Sequence, residues 1–82
     1  MINERTAAIV AKDWKNLKRL AENYINICGA TFGSEDLSLA YEDIAMANYY
    51  SERPQLVLSA SEACIMTYYG NPGCHYYKYL VS

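Results

Sequence analysis

From Ala7 to Cys28 the apolar residues recur at alternating spacings of three and four: Ala7, Val10, Trp14, Leu17, Ala21, Tyr24 and Cys28. At 3.6 residues per turn these positions form one stripe, the seam along which a helix packs on its neighbours. The spacing predicts a helix from about Glu4 to Cys28. Asn3 is placed to cap its start, and Gly29 stands where a left-handed stop residue belongs.

A second helix is expected from about Glu35 to Tyr50. Ser34 suits its cap, Glu35 and Asp36 suit the positive end of its dipole, and Leu37, Ala40, Tyr41, Ile44 and Ala47 form its inward stripe. From about Glu52 to Tyr69 two readings compete. As a helix, the segment places Pro54 in its first turn and stops at Gly70 and Pro72. As strands, residues 56–58 and 64–69 have good β-propensity, and residues 70–73 become a hairpin loop leading to residues 76–81. Asn71 followed by Pro72 also reads as a cap and first-turn proline of a short last helix. One set of punctuation rules explains every junction if all segments are helical. The expected fold is therefore all-α, a small bundle of three long helices plus a short C-terminal helix. The alternative is α+β, two helices packed on a C-terminal β-hairpin or three-stranded sheet.

The chain has 82 residues and 9.3 kDa, enough for a single compact domain spanning residues 1–82. Its 52% hydrophobic and 20% charged residues argue against a disordered chain. The net charge of −2 and pI of 5.2 give no global positive field for nucleic acid. No apolar run approaches the ~18 residues of a membrane span, and the charged N-terminus is unlike an export signal. Cys28, Cys64 and Cys74 are odd in number and lack a C-x2-C spacing. The economical expectation is three reduced thiols in a cytoplasmic protein.

Residues with chemical potential are few. Cys74 and His75 are adjacent, which points their side chains apart on either a helix or a strand, so a nucleophile–base pair is not expected. Cys28, Cys64, Cys74 and His75 lack the tight ligand knuckle of a structural zinc site. No dinucleotide-binding, P-loop, nucleophile-elbow or H-E-x-x-H motif occurs. The reading is a non-enzyme with no cofactor and no metal.

Two surfaces are more informative. Arg5, Lys12, Lys15 and Arg19 project opposite the first seam as a basic stripe that can follow phosphates, bordered by Glu4 and Glu22. Opposite the inward stripe of the second helix lie Glu35, Leu39, Glu42, Met46 and Tyr49, with Asp43 and Tyr50 at the border. Met and aromatic side chains ringed by charge are the composition of a partner-binding patch. The competing account covers this face with the C-terminal tyrosines. Seven of the nine tyrosines lie after residue 48, and a chain this small cannot bury nine phenols fully.

In format alone the chain looks like the small acidic accessory proteins of bacteriophages and mobile elements, anti-CRISPR inhibitors among them. That is an analogy of type. It makes the leading expectation an interaction module that occludes a basic or nucleic-acid-binding surface of a larger host protein. The expected interface is Glu35, Leu39, Glu42, Asp43, Met46, Tyr49 and Tyr50. Membrane association and direct nucleic-acid binding are not expected, and a homodimer is left open. The alternative is a nucleic-acid-associated regulator using the basic stripe.

Overall fold

The computed structural model describes residues 4–28 and 33–82. Asn3, Gly29 and the side chain of Cys28, assigned above to a cap, a stop and the seam, lie outside the described residues. Among the described residues five helices follow one another: α1 (Glu4–Ala11), α2 (Trp14–Cys28), α3 (Ser34–Tyr50), α4 (Pro54–Thr67) and α5 (Pro72–Val81). The fold is all-α, and the described residues contain no strand, so the hairpin alternative falls. Pro72 opens α5, and Asn71 Oδ1 accepts from the Gly73 amide at 3.0 Å as its cap. Ser34 is the first residue of α3, preceded by Gly33 in extended conformation, and does not act as its cap.

The expected first long helix is two helices. Lys12 adopts a left-handed backbone, φ 57°. Its amide donates to Ile9 O (3.1 Å) and the Asp13 amide to Ala8 O (2.8 Å), the paired reverse bonds that close a helix C-terminus. Asp13 then starts α2: its carbonyl accepts from Leu17 N (3.0 Å) and its carboxylate from Asn16 N (3.3 Å). The break resets the helical phase, so spacing counted across it misplaces the first turns of the seam. Ala7 and Val10 face outward, Val10 being 77% exposed, while Ala8 and Leu17 are buried. The same device ends α3. Glu52 has φ 60°, its amide donates to Tyr49 O, and Arg53 N donates to Asn48 O.

Both left-handed sites carry a residue with a Cβ, where roughly 1–2 kcal/mol of backbone strain is expected relative to a relaxed conformation. Lys12→Gly and Glu52→Gly are each expected to raise stability by about 1 kcal/mol or less, after glycine's own entropy loss. Chemical denaturation of the two variants checks this. A loss at either site would mean that its side chain holds the turn.

Helix α3 is the hub, packing on α2, α4 and α5. Leu17 meets Ala47, and Trp14 meets Tyr50, so α2 runs antiparallel to α3. Val57 and Ala60 pack on Ala45, and the Cys64 sulfur lies 3.2 Å from Ser38 O, so α4 is antiparallel too. Asn71 reaches Ser38 (Nδ2 to Oγ, 3.1 Å) and Tyr77 reaches Tyr49, so α5 runs along α3 in the same direction. Two small core clusters result, Ala8–Leu17–Ala47 and Ala45–Val57–Ala60–Tyr77, with Met46 packed against both.

The cysteine expectation is corrected here. Cys64 and Cys74, both wholly buried, form a disulfide that ties the end of α4 to the first turn of α5. The turn at residues 68–71 folds α5 back on α4 and brings the two side chains together. The expectation of a reducing, cytoplasmic setting rested on three unpaired thiols and loses that support.

Candidate functional site

The outer face of α3 is the floor of a groove. One wall is α1 with α2, and the other is α5. Five contacts define it. Arg5 of α1 grips Asp43 through two hydrogen bonds, Nε to Oδ2 at 2.5 Å and Nη2 to Oδ1 at 2.8 Å. Glu42 lies against the first turn of α5, so close that a Cβ on Gly73 would collide with its carboxylate. Tyr50 stacks on Trp14 of α2, centroids 4.7 Å apart with rings 13° from parallel. Tyr49 meets Tyr50 edge-on at 5.2 Å and Tyr77 of α5 at 5.8 Å.

The seven expected interface residues therefore divide. Glu35, Leu39, Tyr49 and Tyr50 are exposed. Glu42 and Met46 are half-buried, and Asp43 is 4% exposed. Met46, expected on the outward face, is partly covered, and Asp43, expected at its border, is buried. Asp43 is tied up in the pair with Arg5, and Met46 fills space between the two core clusters. The C-terminal helix covers part of this face, through Tyr77 against Tyr49 and through Gly73 against Glu42.

The exposed remainder centres on Leu39. On its α2 side is a depression of ≈ 340 Å³ lined by Glu4, Arg5, Leu20, Tyr24, Asp36 and neighbouring residues. On its α5 side is one of ≈ 250 Å³ that includes Glu35, Glu42, Tyr68 and Asn71. Leu39 borders both and is 42% exposed. Glu4, Glu35 and Asp36 are exposed and form no salt bridge among the described residues. Arg5, the one cation among the described residues that line either depression, is held by Asp43. An apolar knob thus stands between acidic rims. Sequence reasoning placed Leu39 and Glu35 here but missed Glu4, Leu20 and Tyr24, which only the return of α1 and α2 along α3 brings in.

The basic stripe is also redrawn. Arg5 leaves it for Asp43, a partner 38 residues away that no local pattern reveals. Lys12 sits in the α1–α2 turn, and Lys15 and Arg19 remain exposed on α2, with Arg19 Nη2 donating to Asn16 Oδ1 at 2.6 Å. Lys18 and Arg53 lie close by, beside Trp14.

The Cys74–His75 neighbours are not brought together as a nucleophile and base. Cys74 is bonded to Cys64, and His75 Nε2 lies 2.7 Å from Tyr69 O. The buried Tyr77 phenol is pushed up to about 12, first by burial and then by surrounding negative and phenolic charges, and it stays protonated at neutral pH.

Burial under α5, then the Asp43 charge, raises the Glu42 pKa above its ordinary 4.5. A hydrogen bond with the Asn71 side chain and the Arg5 charge pull it partly back. The folded chain therefore binds this proton more tightly than the unfolded chain. That contribution to stability is fully present below about pH 4.5 and is lost as the pH rises through the folded value. Glu42→Gln, which mimics the protonated form, is expected to melt higher than the parent at neutral pH, with the difference closing in acid. A melting series across pH tests this, and a gain that persists unchanged below the ordinary carboxylate range would remove ionisation as its cause.

No family model, curated protein or solved structure matches this chain.

Proposed function

We propose that the chain is a non-enzymatic interaction module that occupies a basic surface of a larger protein partner through the α3 groove. The observation that carries this reading is the exposed Leu39 between two depressions rimmed by Glu4, Glu35, Asp36 and Glu42. A partner's apolar side chain can bury itself against Leu39 while its lysines and arginines meet the rim. Such an arrangement steers a positively charged surface into place and anchors it with an apolar contact. Tyr49 and Tyr50 extend the contact surface at the far end of the groove. Occlusion of that basic surface, as an inhibitor of the mobile-element type would achieve it, is the functional consequence we favour.

The test is capture of binding proteins from a bacterial lysate by the parent chain and by two variants. Glu35→Lys/Asp36→Lys should fold normally, since exposed charges contribute little to stability, and should lose a basic partner chiefly through slower association. Leu39→Ala should speed dissociation, by about 1–4 kcal/mol if it is a hot spot. Partners retained equally by both variants would place the interface elsewhere.

A further inference from the structure

A second groove lies at the other end of α3, away from the acidic rim. It has a volume of ≈ 400 Å³ and is lined by Trp14, Lys15, Lys18, Ala47, Asn48, Ser51 and Arg53. Its three cations come from two places in the chain. Lys15 and Lys18 belong to α2, and Arg53 is delivered by the left-handed turn at Glu52 that joins α3 to α4. None of the three forms a salt bridge among the described residues, and no carboxylate is in the lining. Of the nearby acids, Asp13 directs a carboxylate oxygen to the Asn16 amide, and Glu52 precedes Arg53 in the turn. Three unneutralised cations around one groove, in a chain whose net charge is −2, form a local positive site within an acidic surface.

The groove also has an aromatic wall. Tyr50 stacks on one face of the half-buried Trp14 indole, which also packs against the Ala8–Leu17–Ala47 cluster and borders the groove beside Lys15 and Lys18. Cations that follow a charged backbone, interleaved with a ring on which a base can stack, are what sequence-tolerant single-strand binding uses. A duplex keeps its bases stacked inside and would gain nothing from Trp14. An acidic peptide supplies negative charge but no such flat ring at each repeat.

We propose that this groove binds single-stranded nucleic acid, with Lys15, Lys18 and Arg53 on phosphates and Trp14 against a base. The site departs from the basic stripe legible in the sequence. It keeps Lys15, loses Arg5, Lys12 and Arg19, gains Lys18 and Arg53, and acquires an aromatic element in Trp14. It shares the Trp14–Tyr50 stack with the far end of the α3 groove but no lining residue with the depressions beside Leu39, so loss of binding at Leu39 and loss of binding here are separable.

Trp14 is the sole tryptophan, so its fluorescence reports on the site directly. Titration with oligothymidylate at low salt should quench it saturably. With about three phosphates neutralised, the logarithm of the binding constant should fall with the logarithm of salt at a slope of about −2, roughly a twentyfold loss between about 50 and 200 mM. Lys15→Glu/Arg53→Glu should weaken binding by at least about tenfold with an unchanged melting temperature. Glu35→Lys/Asp36→Lys should not weaken it. Absence of quenching, or binding indifferent to Lys15→Glu/Arg53→Glu, would overturn the proposal. Inorganic phosphate, duplex DNA or polyglutamate binding as tightly as the oligonucleotide would overturn the assignment of a single strand.

Discussion

Leu17→Ala is expected to destabilise the chain by about 2–5 kcal/mol, against a total of only roughly 4–12 kcal/mol for a domain of this size. Leu17 is fully buried, and it is the largest side chain in the cluster joining α1, α2 and α3 through Ala8 and Ala47. Its other buried neighbours in that cluster are alanines, which cannot lengthen to fill the void. The melting temperature should fall by at least about 8 °C. Val10→Ala is the informative control. A continuous helix from Glu4 to Cys28 would put Val10 on the same seam, and truncating it would then be costly. With α1 and α2 separated at Lys12, Val10 is exposed and the change should stay within about 0.5 kcal/mol. Comparable losses at the two positions would restore the single helix.

The contrast between Val10 and Leu17 shows where sequence reading stopped. Spacing identified the helical regions before residue 51, because each amphipathic stripe must be buried and its period survives any arrangement of partners, whereas beyond Pro54 it left helices and a hairpin both open. Proline and asparagine punctuation located the starts of α4 and α5, since Pro54 and Pro72 lack the amide that a first helical turn leaves unused. The α1–α2 break was hidden because left-handed stop positions usually carry glycine, and here Lys12 fills that role with a fragment of local hydrogen bonding that composition does not disclose. Glu52 is the same case, masked only because Pro54 lay two residues on.

The candidate site was legible in one half. The mixture of acids with Leu39, Tyr49 and Tyr50 on α3 stood out from the sequence because a solvated helix face has no use for it. The Arg5–Asp43 pair was not legible, since it depends on α1 folding back along α2 to meet α3. Nor was the grouping of Arg53 with Lys15 and Lys18, which depends on α2 and α3 being antiparallel. Both are products of tertiary arrangement, and both change the surface the chain presents: one removes a cation from the basic stripe, the other groups cations around Trp14.

Reducing the Cys64–Cys74 bond is expected to lower the melting temperature by about 10–20 °C. The bridge spans a sequence separation of 10, for which lost chain entropy in the unfolded state accounts for about 2.7 kcal/mol, and a domain of this size shifts by roughly 4–8 °C per kcal/mol. The effect should be local in origin. Helix α5 carries Tyr77 and Val81 into the second core cluster, and its first turn presses on Glu42. Releasing it from α4 loosens Tyr77 from Tyr49 while leaving Leu17 and the first cluster packed. Amide exchange should therefore rise in α5 and at the end of α4 well before it rises in α2. Both sulfurs are wholly buried, so reductant should act slowly on the native protein and quickly once denaturant opens that end of the bundle. Counting thiols decides whether the bond forms. Alkylation of denatured, unreduced protein should modify one cysteine per chain, leaving Cys64 and Cys74 protected by each other. Modification of all three would return the chain to three free thiols and leave α5 held by packing and its Asn71 cap alone.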